Sequence, residues 1–271
     1  MRLSAFLLAL LSVAFIATSA SAQRSQGSTA RSNTADPDMQ DVSEQWDTRH
    51  EACGVGDKNA CFIIEFGACA DRNPQIAIPA CTRQLVQQDN RRFGGNIRFE
   101  RAIRYMLRAN AHATQGNQEL ALLDYDRAIV ADDGVFWMHV QRGDAYFIAG
   151  NFEQALTSYN AAIDLNANSA AAFNNRALIL AAAPSEQLRN APQALADAQR
   201  ANALTPGQPA YIDCLAVAYA ANADFERAEE EERRAIDLLP EGNQAVLDDF
   251  RSRLALFEND TAFTIVHTPN S

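Results

Sequence analysis

The side chains with the most chemical reach in this chain are its five cysteines and four histidines. Cys53, Cys61, Cys69 and Cys81 fall within 29 residues, and Cys214 stands apart. Clustered thiols can pair as disulfides, hold zinc, or act as nucleophiles beside a histidine. Structural zinc favours short paired spacings such as C-x2-C, whereas the gaps here are seven, seven and eleven residues. His50, His112, His139 and His267 show no metal-ligand spacing either, so the expectation is no metal and no cofactor. There is no G-x-S-x-G elbow and no phosphate-binding loop. The single lysine, Lys58, has Val55 three residues before it, so no S-x-x-K motif can be written. "RGD" at 142–144 falls inside a helical pattern, where Arg142 and Gly143 serve packing. No catalytic constellation survives, and the expectation is a non-enzyme.

The compartment decides what the cysteines do. Arg2 precedes the apolar run "LSAFLLALLSVAFIATSASA", which ends in the small-x-small sequence Ala20-Ser21-Ala22. That pattern predicts a signal peptide over 1–22, cleaved after Ala22, and hence a periplasmic or secreted protein with no membrane insertion afterwards. In an oxidising compartment the four clustered cysteines read as two disulfides, with three pairings open. If 57–70 and 74–88 form one hairpin turning near Arg72, Cys61 lies closer in height to Cys81 than Cys69 does. Residues 23–45 are rich in Ser, Thr, Gln and Asp and read as a disordered leader. The tail, 259–271, is similarly polar, although "AFTIVH" (262–267) has β-like character with no evident place. A formal net charge of −11 argues against nucleic acid and against anionic membranes.

The elements that position these residues come from a repeat. Ala121, Ala155, Ala194 and Ala228 are spaced 34, 39 and 34 residues apart, and Ala128, Ala162, Ala201 and Ala235 repeat the same intervals. Around them large and small residues alternate: Gly143, Tyr146, Gly150, Phe152, Ala155, Tyr159, Ala162. Small residues let helix backbones approach, and aromatics fill the space beside them. This pattern resembles the tetratricopeptide repeat. The resemblance implies an all-α fold, a right-handed α-solenoid of antiparallel helix pairs, with repeats at 102–135, 136–169, 170–208 and 209–242. The third carries five extra residues between its helices and Ala198 where an aromatic is usual. Residues 243–258 read as an amphipathic capping helix, with Val246, Phe250, Leu254 and Phe257 on one side. Residues 46–95 read as cysteine-stapled helical pairs of a degenerate repeat type.

The resemblance also implies particular residue roles. "ACGVGDKNAC" and the segment 69–85 are similar to parts of exported bacterial repeat proteins, which implies the pairings Cys53–Cys61 and Cys69–Cys81. Cys214 is then a reduced, partly buried thiol. First helices of such repeats line a concave surface for a peptide or protein partner. The matching positions are Met106, Asn110, Trp137, Gln141, Asp144, Phe147, Asn174, Asn175, Asp213 and Val217. None is a lysine or arginine, so amide and aromatic recognition is expected, with Asn and Gln on the peptide backbone and Trp137 as apolar anchor. The plain alternative makes them solvent-tolerant surface positions. The "EEEERR" run (229–234) reads as a solvated face pairing Glu229 with Arg233 and Glu230 with Arg234. The function expected is an exported scaffold for protein–protein contact. The alternatives are an envelope-directed hydrolase or accessory factor with its chemistry in the cysteine region, and a self-associating assembly module.

Overall fold

The computed structural model describes residues 67–86 and 97–267. The signal peptide, the leader, and Cys53 with Cys61 lie outside the described residues. The regular elements of the described chain are all helices, in two units that divide between Asp133 and Gly134.

The first unit holds α1 (Pro74–Val86), α2 (Ile97–Thr114) and α3 (Gln118–Ala131), with α2 packed against both neighbours. Two side chains start α1: Asp71 Oδ1 accepts from the Asn73 N–H at 2.7 Å, and Asn73 Oδ1 accepts from the Gln75 N–H at 3.0 Å. Cys69 and Cys81 form a disulfide, their Cα atoms 4.6 Å apart, enclosed by Ala68 and Ala80 with Leu107 packed against them. This is the pairing that the resemblance implied, and it overrides the heights expected from a hairpin turning near Arg72. The preceding helix stops at Cys69, and residues 70–73 are not helical, so Cys69 drops to the level of Cys81.

Alanines 102, 109, 121 and 128 are fully or almost fully buried, which lets α2 and α3 pack closely. The Arg108 guanidinium grips the buried Asp124 carboxylate through two bonds of 2.6 and 2.8 Å and donates a third to Thr82 on α1. Gly116, at φ +79°, makes the turn into α3.

The second unit runs α4 (Phe136–Ile148), α5 (Phe152–Leu165), α6 (Ala170–Ala182), α7 (Ala191–Leu204), α8 (Pro209–Ala221), α9 (Phe225–Asp237) and α10 (Gln244–Phe257). The pairs α4/α5, α6/α7 and α8/α9 each pack on themselves and then on the next, and α10 closes the row against α9. Glycine sets the closeness of the first pair: a Cβ on Gly143 would lie 2.5 Å from the Tyr159 ring.

Between α6 and α7 the longer loop is ordered by a short 3-10 turn at Glu186–Leu188. The Asn190 N–H returns to the Leu180 carbonyl at 2.8 Å, and the Asn190 side chain caps α7. Ala223 stands at the turn position that glycine fills between α4 and α5, and takes the same left-handed conformation at φ +60°. Helices α6 and α8 are buried on nearly every side. No polar face is needed on such helices, which fits the alanine-rich sequence of α6 and α8.

Candidate functional site

The first helices of the pairs carry the residues assigned to partner recognition, and the structure divides them into two sets. Asp144 is enclosed. Its Oδ1 accepts from Tyr159 Oη at 2.8 Å and from Asn175 Nδ2 at 2.7 Å. Asn175 Oδ1 in turn accepts from Asn174 Nδ2 at 3.0 Å, and the Asn174 carbonyl accepts from the Cys214 thiol at 3.3 Å. A polar ladder thus runs from α5 through α4 and α6 to α8. Burial pushes the Asp144 carboxyl up to about 6, although both hydrogen bonds pull it down. Burial likewise pushes the Cys214 thiol well above its usual range, so it remains protonated. Cys214 is fully buried, where the sequence suggested partial burial.

Asp213 requires a correction. It was expected on an open surface, but it is 0% exposed and accepts a short bond from Arg253 Nε of α10. Glu232 of α9 is equally buried, with an oxygen 3.7 Å from the same nitrogen. The solvated reading of "EEEERR" therefore fails at its centre, and Arg234 pairs with Glu231 where Glu230 was expected. Arg233 bonds Glu229 as expected, and also Glu258. Burial drives both Asp213 and Glu232 above the ordinary carboxylate range, while Arg253 opposes the shift. Asn174 and Asn175, 1% and 3% exposed, are also withdrawn from any open surface, as are Met106, Phe147 and Val217.

Three expected positions remain half-buried: Asn110, Trp137 and Gln141. Asn110 is engaged, since its Oδ1 accepts from Tyr125 Oη in the same way that Asp144 accepts from Tyr159. Trp137 and Gln141 lie one turn apart on α4, at i and i+4, and share a face. Gln141 Oε1 is enclosed and has no hydrogen-bond partner in the protein. The "RGD" run is spent internally: Arg142 donates to Ser158 at 3.1 Å and Asp144 is enclosed.

Sequence reasoning missed Arg253, Glu232 and the arginine clamps. Arg108–Asp124, Arg142–Ser158 and Arg176–Asp197 occupy one repeat register, an arginine of the first helix against an oxygen of the second. That recurrence was visible once the repeats were aligned with one another. Nothing local marks Arg253, which lies 40 residues from Asp213.

The tail also has a place. Residues 261–267 lie outside any helix, and the Ile265 N–H donates to the Ala182 carbonyl at 2.8 Å. Among the described residues no cluster of three His, Cys, Asp or Glu side chains could hold a metal ion, and no helix is long and apolar enough to cross a membrane.

Comparison with known proteins agrees with this architecture. Residues 143–183 match the family model described as TPR repeat. No curated protein matches the chain. Among solved structures, a tetratricopeptide repeat protein from Parabacteroides merdae ATCC 43184 is 16% identical, covering 82% of this chain and 77% of its own, with a TM-score of 0.53. MamA is 17% identical over 64% of this chain and 91% of its own, with a TM-score of 0.50. At this identity the likeness speaks for the fold. Residues 143–183 are thus similar to a tetratricopeptide repeat, and the rows of helix pairs share the fold of solved tetratricopeptide-repeat structures.

Proposed function

We propose that the chain is an exported, non-catalytic scaffold that holds another polypeptide against the first-helix face of its second repeat. The observation that carries this reading is the pair Trp137 and Gln141. Both belong to the register that the repeat type uses for recognition, and neither is consumed by the polar ladder that engages Asp144, Asn174 and Asn175. A half-buried indole supplies apolar area at low entropic cost, and the Gln141 amide, whose enclosed Oε1 has no partner in the protein, pairs with a partner's backbone N–H once its side chain turns outward. Charge supports the assignment from the other side: at −11 the chain repels phosphate backbones. The apolar run at 1–22 supports export, and the Cys69–Cys81 disulfide fits an oxidising compartment.

The test is affinity recovery of the native partner from the source cells, with the wild-type chain and with the double variant Trp137→Ala, Gln141→Ala. Recovery should fall at least tenfold while circular dichroism is unchanged. Undiminished recovery by the double variant refutes the site. Secretion assays of the full chain, with and without residues 1–22, test the compartment independently.

A further inference from the structure

Residues 261–267 sit on the protein in the manner of a bound peptide. They follow a left-handed turn at Asp260, φ +51°, which ends α10 and redirects the chain back along the row of repeats. Alternate side chains then face inward. The Phe263 ring lies under the Arg253 guanidinium at 5.4 Å, and Ile265 is 6% exposed within the same apolar cluster as Ala182, Ala183 and Phe257. His267 meets the Phe152 ring edge-on, with centroids 6.4 Å apart. Between them Thr264 and Val266 face outward, Val266 at 59% exposure. This period of two is that of a strand, though no strand lies beside it among the described residues.

The surface beneath is built for close backbone approach. Ala182 ends α6, and its carbonyl, which no helical N–H can reach, takes the Ile265 N–H. Gly150 follows α4, and a Cβ there would lie 2.5 Å from His267 Nε2. The track therefore runs past the C-terminal ends of two first helices, away from Trp137 and Gln141 near the start of α4.

The tail's attachment is slight for an element so well matched in shape. Beyond the cap at Thr261, whose N–H reaches the Leu256 carbonyl, one backbone hydrogen bond and three inward side chains hold it. Segments with so few anchors open at low cost. We propose that this track is a second binding site, for an extended partner segment with apolar or aromatic side chains at three alternate positions, and that the chain's own tail occupies it in competition. A short tether gives the tail an effective concentration in the millimolar range, so a partner must bind the uncovered track more tightly than that. The inference does not depend on the Trp137 face.

The probe is a fluorescein-labelled peptide of residues 260–271, followed by anisotropy. A chain ending at Asp260 should bind it saturably, and the full-length chain at least tenfold more weakly. The full-length variant Ile265→Asp, which keeps every helix but cannot seat its tail, should bind the wild-type peptide like the shortened chain. The same peptide carrying Ile265→Asp should not bind. Trp137→Ala with Gln141→Ala should leave peptide binding unchanged, separating this site from the proposed partner face. Failure of both the shortened chain and Ile265→Asp to bind, with helical content retained, overturns the proposal; so does equal binding by the unmodified chain. Light scattering should find the full-length chain monomeric. A concentration-dependent dimer abolished by Ile265→Asp would mean that copies exchange tails, and would overturn the assignment to a different partner.

Discussion

Asp144→Asn isolates the cost of burying one carboxylate between two repeats. The aspartate is held at about 6 against an ordinary 3.8, so the folded protein binds its proton more tightly than the unfolded chain does. Ionisation therefore destabilises the fold. The penalty is absent well below pH 3.8, grows between 3.8 and 6, and is constant above 6. At 1.36 kcal/mol per unit, the full penalty is about 3 kcal/mol at pH 7.5 and about 1 kcal/mol at pH 4.5. An asparagine oxygen can still accept from Tyr159 and Asn175, so the amide removes the charge and keeps both bonds. Urea unfolding, followed by circular dichroism and Trp137 fluorescence, should find Asp144→Asn more stable than wild type by about 3 kcal/mol at pH 7.5, with the gap narrowing to about 1 kcal/mol at pH 4.5. Asp144→Ala, which strands both donors, should fall about 2 kcal/mol or more below Asp144→Asn. A variant less stable than wild type at pH 7.5, or a gap that does not change with pH, would refute the reasoning.

Other substitutions probe other parts of the fold. Arg253→Met leaves Asp213 and Glu232 buried without their guanidinium and should cost about 3–5 kcal/mol at neutral pH. The loss should shrink on acidification, because both carboxyls already sit above their ordinary range and protonation relieves them; thermal melts at pH 5 and 7.5 would show it. Ala223→Gly relieves a left-handed alanine and should raise stability by about 1 kcal/mol in urea titrations, whereas a loss would place the strain elsewhere. Cys69→Ser with Cys81→Ser opens a loop of sequence separation 12 and should cost the first unit about 3 kcal/mol, read as faster hydrogen exchange over 97–131. Unchanged exchange would show that the disulfide does not brace α2 and α3.

The repeats were legible because their cause is periodic and local. Gly143 must be small where Tyr159 lies against it, and small residues recur in the same register at Ala109, Ala177 and Ala216. The candidate surface was legible only in part. Register places Asp144, Asn174, Asn175 and Asp213 on first helices, but cannot say whether solvent or a neighbouring side chain meets them. Asp213 is decided by Arg253, and Asn175 by Asp144, 31 residues away. Glu232 misled for the same reason: its spacing to the following arginines suits a solvated face, while α10 covers it. The tail showed its alternation in "AFTIVH", yet its seat depends on a bare carbonyl at Ala182 and a missing Cβ at Gly150, which only the folded chain brings together.

Site-specific photocrosslinking in the source cells tests the scaffold assignment most directly. A photoreactive residue at Trp137, on the first helix of the second repeat, should form one dominant adduct with another polypeptide. The same residue at the exposed Asp164, on the second helix, should form none. Identical adducts from both positions, or none from Trp137, would contradict the account.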